Sequence, residues 1–353
     1  METCVFTLCS MNYLAYAKTL GDSLIKFNPG AKFIIGLVDR IGIDIDLSEF
    51  KAFEIIEIEK INLPYLDEKV RNYDIVELNT SVKPSFFKYL LKTRENLQRI
   101  IYLDPDIEIF DELTSIYQGF ADFDIILTPH MITPIIGKQT IDEQLILQFG
   151  LYNLGFLGVA RSDSGFALLE WWENKLRDRC VRNNKNGLFL YQKWMDVVSI
   201  LFDRVGILKH PGLNVAWWNL HERKITKKGE RFHVNESWPL VFFHFGAMSL
   251  PQGYENDLSS CIVSLLERDY KNYLKDNNNL YWKNIKCSYT RQREDLMKAS
   301  QEKKLASEVK SILDNQKLSV WEKATIVSYT IIKKIIPRRI KKKIRKVIRY
   351  GKV

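Results

Sequence analysis

The feature that most constrains the fold is an apolar run that ends abruptly in two carboxylates. Residues 100–107 read Ile-Ile-Tyr-Leu-Asp-Pro-Asp-Ile, with the acids at Asp104 and Asp106. A short continuous apolar run is typical of a strand buried on both faces, in a parallel sheet covered by helices. Ligands of such α/β sheets bind just beyond the carboxyl ends of the strands. The run therefore predicts an α/β fold with a ligand site at the two acids.

The spacing of the two acids suits a divalent cation. Residues i and i+2 of an extended chain face the same way, about 6–7 Å apart, so both carboxylates can address one ion. Pro105 fixes its own φ and keeps Asp104 extended. Mn²⁺ or Mg²⁺ prefers carboxylate oxygens, and diphosphate oxygens complete the shell. We interpret the pair as part of a nucleotide-diphosphate site; the alternative is a strand exit with two solvated acids.

Short apolar runs alternate with amphipathic stretches over the first 250 residues. The apolar runs predict strands at residues 5–8, 32–38, 53–58, 100–103, 124–127, 154–160 and 240–245. The periodicity predicts helices at residues 13–27, 84–92, 165–177 and 188–202. This βαβ rhythm indicates a Rossmann-like, mostly parallel central sheet flanked by helices. We expect three regions: a sheet domain at residues 1–250, a helical extension at 251–318 and a basic tail at 319–353.

The positive charge of the chain is concentrated at its end. The net charge is +9, but residues 331–353 alone carry eleven Lys or Arg and no acid, which leaves residues 1–330 at −2. Isoleucines and a valine recur at helical spacing between these cations, the pattern of a helix lying in a membrane surface. We expect the tail to bind anionic lipid; a charged or oligomerising helix and nucleic-acid binding are the alternatives.

The cysteines and the start of the chain indicate the compartment. The five cysteines form no CxxC pair, so neither a disulfide framework nor structural zinc is expected. The first residues show no signal peptide, and no apolar run is long enough for a spanning helix. We expect a cytoplasmic protein, peripheral on the inner face of the cell membrane.

Several further motifs accompany the two acids in a fixed order. They are Thr7-Leu8-Cys9-Ser10-Met11-Asn12-Tyr13, Val82-Lys83-Pro84, Tyr152-Asn153-Leu154-Gly155-Phe156, Tyr191-Gln192-Lys193-Trp194 and Phe242-Phe243-His244-Phe245-Gly246. Together with Asp-Pro-Asp, this order resembles the GT-A nucleotide-sugar glycosyltransferases, and among them glycosyltransferase family 8, whose bacterial members build surface polysaccharides. The resemblance covers about residues 3–250.

The resemblance implies a role for each matching residue. The nucleotide would be held by Ser10, Asn12, Tyr13, Asp39, Lys83, Asp104 and Gly246. The metal would be bound by Asp104, Asp106 and His244, and the anomeric carbon would lie beside Asn153 and Gln192, with Asp196 as a substitute acid. For Asn12, a helix N-cap is an equally good interpretation. For His244, a buried structural histidine is the alternative.

The sugar is expected to meet a wall of aromatic and polar residues. Indole faces stack on pyranose rings and amides bind hydroxyls, so the segment around two adjacent tryptophans suits this purpose. The expected wall consists of Trp217, Trp218, Asn219 and His221, with Gly155 permitting close backbone approach. The alternative is that at least one tryptophan belongs to the core.

The mechanism expected from the resemblance is retention of configuration. An inverting enzyme needs a carboxylate base opposite the leaving group, and no acid in the sequence stands out for that role; the nearest candidates are Asp142 and Glu143. Retaining members of family 8 use the leaving phosphate itself to accept the proton.

We therefore expect a hexosyltransferase that uses a divalent cation, moves a sugar from a UDP-linked donor to a glycan or lipid-linked acceptor, and binds no nucleic acid. Two other functions remain open. A sugar-nucleotidyltransferase shares the sheet, although it usually carries a glycine-rich loop that residues 9–12 lack. A catalytically inactive membrane-bound binding protein would explain Tyr191 where the family has an acid.

Overall fold

The computed structural model describes residues 2–136, 142–246 and 258–314, together with positions 319–321, 323, 324, 326, 327 and 330. By compactness the chain divides into two units, residues 1–290 and residues 291–353, and each is described by itself. The basic segment 331–353, which was expected to bind membranes, lies outside the described residues.

The strands of the described residues form one large sheet and three small ones. In chain order they are β1 (Glu2–Cys9), β2 (Lys32–Leu37), β3 (Glu54–Glu57), β4 (Leu97–Leu103), β5 (Ile107–Ile109), β6 (Ile125–Leu127), β7 (Phe156–Ala160), β8 (Arg182–Asn183), β9 (Leu188–Phe189), β10 (Val205–Ile207), β11 (Ile225–Lys228), β12 (Arg231–Val234), β13 (Trp238–Pro239) and β14 (Phe242–His244). The large sheet has seven strands in the order β10-β6-β7-β4-β1-β2-β3. It is mostly parallel; β7 runs antiparallel to both of its neighbours.

Helices of the first unit cover both faces of this sheet, and the helices of the described residues follow in chain order. They are α1 (Leu14–Phe27), α2 (Leu66–Asn72), α3 (Ile75–Ser81), α4 (Lys83–Thr93), α5 (Thr114–Asp122), α6 (Glu143–Phe149), α7 (Asp163–Lys175), α8 (Val198–Leu201), α9 (Leu258–Asp276), α10 (Asn279–Trp282) and α11 (Ser288–Asp314). Helices α1, α5 and α9 contribute to the hydrophobic cluster on one face, and α3, α4 and α7 contribute to the cluster on the other. The expected α/β architecture is confirmed.

Strand β4 shows why the apolar run of the sequence is uninterrupted. Ile101 and Leu103 belong to the cluster on one face of the sheet, whereas Ile100 and Tyr102 belong to the cluster on the other. All four are at most 1% exposed. Since side chains alternate along a strand, a strand with both faces buried needs apolar residues at every position. The prediction of a doubly buried strand before Asp104 is confirmed.

The helix predicted at residues 188–202 is wrong. This segment instead contains the short strand β9, a 3-10 turn at Lys193–Val197 and the single-turn helix α8. Leu190 has a φ of +51°, which a helix does not accommodate. The side chain of Gln192 also forms hydrogen bonds with the backbone of Leu154 and Phe149. These bonds hold the chain in a bent, non-helical conformation.

The strand predicted at residues 240–245 exists but does not join the large sheet. Strand β14 pairs antiparallel with β5 in a separate two-stranded sheet. Strand β5 follows Asp106 directly, and β14 ends at His244, so this pairing brings the two residues together. The small sheet thus lies directly after the end of β4 and carries residues of the candidate site.

The polar segment after residue 251 is partly core. Helix α9 buries Val263, Leu266, Tyr270 and Leu274 in the same cluster as helix α1, and α10 adds Trp282. Residues 258–290 therefore belong to the compact first unit. In the second unit, the described part of helix α11 from residue 291 is mostly exposed. Within the stretches that the structure describes, there is no helix with the length and apolar character that crossing a membrane requires.

Glu108 gives the fold a pH dependence that can be measured. It lies on β5 and is 7% exposed. Burial raises the pKa of its carboxyl group from 4.5 to about 8, opposed by Lys26 and reinforced by Asp269. The folded state therefore binds more protons than the unfolded chain between pH 4.5 and about 8, and the free energy of unfolding should fall as the pH rises through this window.

We expect Glu108→Gln to remove this dependence. At pH 8 the variant should be more stable than the wild type by on the order of 4 kcal/mol, because a tenfold change in proton affinity corresponds to about 1.4 kcal/mol. At pH 4.5 the two should be nearly equal. Urea unfolding at both pH values checks this, with the exposed Glu95→Gln as control. A pH profile identical to that of the wild type would contradict the buried neutral carboxyl.

Candidate functional site

Two aspartates and one histidine converge at the end of β4. Asp104 follows the last residue of the strand, and the pairing of β5 with β14 sets His244 opposite Ile107, next to Asp106. The Nε2 atom of His244 lies 3.1 Å from Asp106 Oδ1 and 3.9 Å from Asp104 Oδ2. One ligand atom from each residue lies within 4.8 Å of the others. The structure thus brings together the three expected metal ligands.

The charges of this cluster depend on each other. Burial raises the pKa of Asp106, but His244 and, more weakly, Lys83 lower it, so that the net pKa is below its usual value. Burial lowers the pKa of His244, yet Asp106 and Asp104 more than compensate and the net pKa is raised. The two shifts favour a charged carboxylate beside a protonated imidazole. Because a metal ion binds only a deprotonated nitrogen, metal binding at Nε2 competes with its protonation.

The donor set fits a hard divalent cation. Two carboxylates and one imidazole suit Mn²⁺ or Mg²⁺ better than a soft metal, which would favour thiolates. Asp104 keeps Oδ2 for such an ion, because its Oδ1 is already occupied: it accepts hydrogen bonds from Lys83 Nζ at 2.9 Å and from the Tyr102 hydroxyl at 2.5 Å.

Lys83 is enclosed rather than exposed to the cleft as a free charge. Its Nζ atom also donates to the carbonyl of Leu154 at 3.1 Å. The ammonium lies 3.9 Å from the ring centroid of Tyr102 and 4.0 Å from that of Tyr191. Burial lowers its pKa, although Asp104 opposes the shift. The lysine fixes Asp104, and two aromatic faces replace part of its hydration.

A cleft of about 280 Å³ opens beside the two aspartates. It is lined by Leu8, Cys9, Ser10, Asn12, Tyr13, Ile75, Val76, Asn79, Thr80, Lys83, Tyr102, Asp104, Pro105, Asp106, Leu190 and Tyr191. The expected nucleotide residues at positions 10, 12 and 13 therefore lie with the acids. Asn12 is inside the 3-10 turn Met11–Tyr13 and does not cap helix α1, whose N-cap position is Tyr13.

Asp39 lies behind this loop instead of lining the cleft. It is 1% exposed, and its Oδ2 accepts from the backbone N–H of Met11 at 3.2 Å. Its Oδ1 accepts from the N–H groups of Arg40 and Ser288, each at 2.9 Å, and from the Ser288 hydroxyl. In this structure the carboxylate fixes the loop that carries the cleft residues.

The residues expected beside the anomeric carbon are engaged with backbone. Gln192 accepts from the N–H of Leu154 and donates to the carbonyl of Phe149, both at 3.0 Å. Asp196 accepts from the N–H of Leu151 at 2.7 Å and pairs with Lys193 at 2.6 Å. The structure does not bring either side chain to the cleft lining.

Asn153 and Gly155 lie against His244. A Cβ atom on Gly155 would lie 2.4 Å from His244 Cε1 and 2.8 Å from Asn153 Oδ1, so this position has room only for glycine. Gly246 is less restricted: a Cβ there would be 3.2 Å from His244 Nε2 and 3.3 Å from Asp106 Oδ2. Gly155 thus permits the approach of the histidine ring to the sheet.

The expected sugar wall divides into core and surface. Asn219 is fully buried and bonds to Ala216, His130 and Asn214, whereas Trp217 and Trp218 are partly exposed. Trp217 Nε1 donates to the carbonyl of Gly246 at 2.8 Å, and the Trp218 ring meets the His244 ring edge-on with centroids 5.2 Å apart. The side chain of His221 is 6% exposed.

The sequence interpretation missed several residues around the site. The contact of Tyr102 with Asp104 could have been predicted, because Tyr102 lies two residues before Asp104 and therefore on the same side of the strand. Tyr191 and Asn79 line the cleft, and Asn214 bonds to His244 Nδ1 at 3.2 Å. Asn79 and Asn214 come from distant segments that no local pattern marks, whereas Tyr191 belongs to a motif named from the sequence and only its contact with Lys83 was not predicted.

Comparison with known proteins gives relatives but no family. No family model matches the chain. The chain is 27% identical over 198 residues to the uncharacterized protein YfnF of Bacillus subtilis (strain 168), a match covering 56% of this chain and 65% of YfnF. It is 21% identical over 197 residues to the uncharacterized protein YfnD of the same organism, covering 55% and 61%. The matches span less than two thirds of either relative.

Among solved structures, three similar ones are glycosyltransferases by name. The galactosyltransferase LgtC has 15% identity and a TM-score of 0.46 over 78% of this chain and 96% of its own. GlyE of Streptococcus pneumoniae TIGR4 has 13% identity and a TM-score of 0.41, covering 78% and 63%. Mouse xyloside xylosyltransferase 1 has 12% identity and a TM-score of 0.41, covering 71% and 99%. At TM-scores below 0.5, none of these likenesses identifies the function.

Proposed function

We propose that this protein is a GT-A glycosyltransferase of the hexosyltransferase type. It would move a sugar from a UDP-linked donor to a glycan or lipid-linked acceptor in the synthesis of a cell-surface polysaccharide. The observation that carries the proposal is the Asp104–Asp106–His244 cluster, which adjoins a cleft lined by residues of the loop after β1. The order of the sequence motifs supports a nucleotide-sugar, rather than another diphosphate compound, as the ligand of this cleft.

The chain's own residues are arranged to hold the donor diphosphate at one place. A divalent ion at the cluster, Mn²⁺ or Mg²⁺, supplies several kcal/mol of stabilisation to the charge of the leaving diphosphate. Lys83 and Tyr102 fix the carboxylate of Asp104, and His244 directs Nε2 to the same point. These contacts orient the ligands in advance, so little reorganisation is needed when the donor binds.

We further propose that transfer retains configuration at the anomeric carbon. Among the described residues that line the cleft, Asp104 and Asp106 are the only carboxylates, and both are assigned to the metal. Asp196 is bonded to Leu151 and Lys193, so it is unsuited to act as a base without moving. The leaving phosphate oxygen would then accept the proton of the attacking hydroxyl as the new glycosidic bond forms.

The remaining site residues are proposed in supporting and sugar-binding roles. Gln192 and Asn153 support the floor of the site through their bonds to the 149–155 segment. Trp217 and Trp218 retain exposed surface and form the proposed sugar wall. The acceptor is proposed to reach the site while the basic tail binds anionic lipid on the inner face of the membrane; liposome flotation of a protein ending near Ser319 tests that part.

The experiment for the function is donor turnover with a panel of nucleotide-sugars. We expect release of a nucleoside diphosphate from one UDP-sugar, dependent on Mn²⁺ or Mg²⁺, at a low rate with water and a higher rate with a suitable acceptor. The anomeric coupling constant of the product, measured by NMR, should match that of the donor. A product of inverted configuration would contradict the retaining mechanism alone.

The same assay separates the two other candidate functions. A sugar-nucleotidyltransferase would release pyrophosphate from a nucleoside triphosphate and a sugar phosphate. An inactive binding protein would show a thermal upshift with a nucleoside diphosphate and metal but no turnover of any donor. Tyr191 favours this last candidate, because it stands where the resembling family has an acid and its ring lies against Lys83.

A further inference from the structure

A chain of buried hydrogen bonds runs behind the Asp104–Asp106–His244 cluster. Gly155 N–H donates to Asn153 Oδ1 at 2.9 Å, and Asn214 Nδ2 donates to the same oxygen at 3.0 Å. Asn214 Oδ1 lies 3.2 Å from His244 Nδ1, and Asn153 Nδ2 lies 3.3 Å from His130 Nε2. Asn153 and Asn214 are 8% and 1% exposed.

The direction of every bond in this chain follows from its first member. A backbone N–H can only donate, so the atom of Asn153 that faces Gly155 must be the amide oxygen. The group of Asn214 that faces this oxygen must then be the NH₂ group, which also donates to Thr128 Oγ1 at 2.9 Å. The oxygen of Asn214 is left facing His244, and an oxygen accepts only from a protonated Nδ1.

We infer that Asn214 is a positioning residue that keeps the proton of His244 on Nδ1 and so leaves Nε2 as the nitrogen that binds the metal. The inference rests on the metal site of the proposed function, but not on sugar transfer. By the same argument Asn153 directs its NH₂ group to His130 Nε2, so a neutral His130 carries its proton on Nδ1 as well.

The backbone conformation around Asn214 holds its side-chain amide in position beside His244. Asn214 has a φ of +53°, a left-handed conformation that asparagine tolerates better than most residues. Its carbonyl accepts from Asn219 Nδ2 at 3.0 Å. The next residue, Val215, receives a hydrogen bond from the His244 N–H at 2.8 Å, which ties the segment to β14. Backbone held in a sparsely populated conformation is common where geometry serves function.

The most direct test reads the tautomer in the wild-type protein. The chain has five histidines, so selective ¹⁵N-histidine labelling gives a simple spectrum. With Zn²⁺ as a diamagnetic probe, we expect the His244 ring, assigned by its loss in His244→Gln, to show a protonated Nδ1 and a metal-bound Nε2. A metal-bound Nδ1 with a protonated Nε2 would overturn the inference.

Variants at position 214 test the consequence for metal affinity. Asn214→Gly removes the amide and suits the left-handed backbone, and we expect it to weaken Mn²⁺ binding, measured by electron paramagnetic resonance, by about 10–100-fold. Asn214→Asp keeps an oxygen facing Nδ1 but loses the NH₂ donor to Asn153 Oδ1, so its Mn²⁺ affinity should lie between those of Asn214→Gly and the wild type. Asn62→Gly, at another left-handed asparagine with φ of +49°, is the matched control.

The outcomes separate this inference from the proposed function. Unchanged Mn²⁺ affinity in a folded Asn214→Gly protein overturns the inference and leaves the transferase proposal intact. Correct tautomer and metal affinity without turnover of any nucleotide-sugar supports the inference and overturns the transferase proposal. Failure of the wild type to bind Mn²⁺, Mg²⁺ or Zn²⁺ at all overturns both.

Discussion

Asp106→Ala is expected to abolish metal-dependent donor turnover, with a loss of at least about 10³-fold. The reason is that Asp106 is the acid closest to His244, and its removal leaves one carboxylate and one imidazole for the ion. Metal ions contribute several kcal/mol to the stabilisation of a leaving diphosphate, and each 1.36 kcal/mol corresponds to a factor of ten in rate. Mn²⁺ affinity and nucleoside diphosphate release are the two measurements.

The matched control is Asp122→Ala, which removes an exposed acid at the end of helix α5. We expect this control to bind Mn²⁺ and turn over donor as the wild type does. Thermal unfolding without metal must show that Asp106→Ala is folded. Turnover that stays within tenfold of the wild type, with the same dependence on Mn²⁺, would refute the assignment of Asp106 as a ligand.

Gly155→Ala is expected to have the second large effect, through sterics alone. The added Cβ would lie 2.4 Å from His244 Cε1 and 2.6 Å from Nδ1, where real Cβ atoms do not occur. The imidazole or the backbone at position 155 must then shift, which disturbs the contacts of the ring with Asp106 and Asn214. We expect Mn²⁺ affinity to fall by about 100-fold or more, and overpacking to destabilise the fold by about 1–3 kcal/mol.

Gly42→Ala provides the comparison for this variant. A Cβ at Gly42 would meet only Ile45 Cγ1 at 3.6 Å, an ordinary contact. This control should bind metal like the wild type and lose no stability. If Gly155→Ala bound Mn²⁺ normally, the histidine would have to reach the ion from another position, and the geometry of the cluster would be wrong.

The sequence was sufficient to predict those parts of the site whose residues lie close together along the chain. Asp104 and Asp106 follow a buried strand, so their place at the edge of the sheet could be predicted from hydrophobicity alone. The strand that carries His244 was also predicted, because its apolar residues form a continuous run. Its pairing with β5 was not predicted, since the pairing depends on which edge the chain returns to after more than a hundred residues.

The parts that sequence reasoning misjudged depend on side-chain bonds to distant backbone. The apolar pattern of residues 188–202 fits a helix, but Gln192 bonds to Leu154 and Phe149, and Leu190 adopts a positive φ. Asn214 is a further example. Its amide is oriented by Asn153, 61 residues away, and neither residue type nor spacing indicates that contact. Periodicity reports burial and is insensitive to such bonds.

The burial of β4 on both faces has a consequence for how the site responds to its ligands. The backbone of this strand is hydrogen-bonded to β1 on one side and β7 on the other, between two hydrophobic clusters. Opening it requires disruption of the whole sheet, so its amide protons should exchange with solvent only through global unfolding. A ligand that binds at the end of such a strand raises the free energy of unfolding of the whole first unit. The exchange rate of the amide protons at the centre of β4 should therefore fall as the fraction of protein with bound ligand increases.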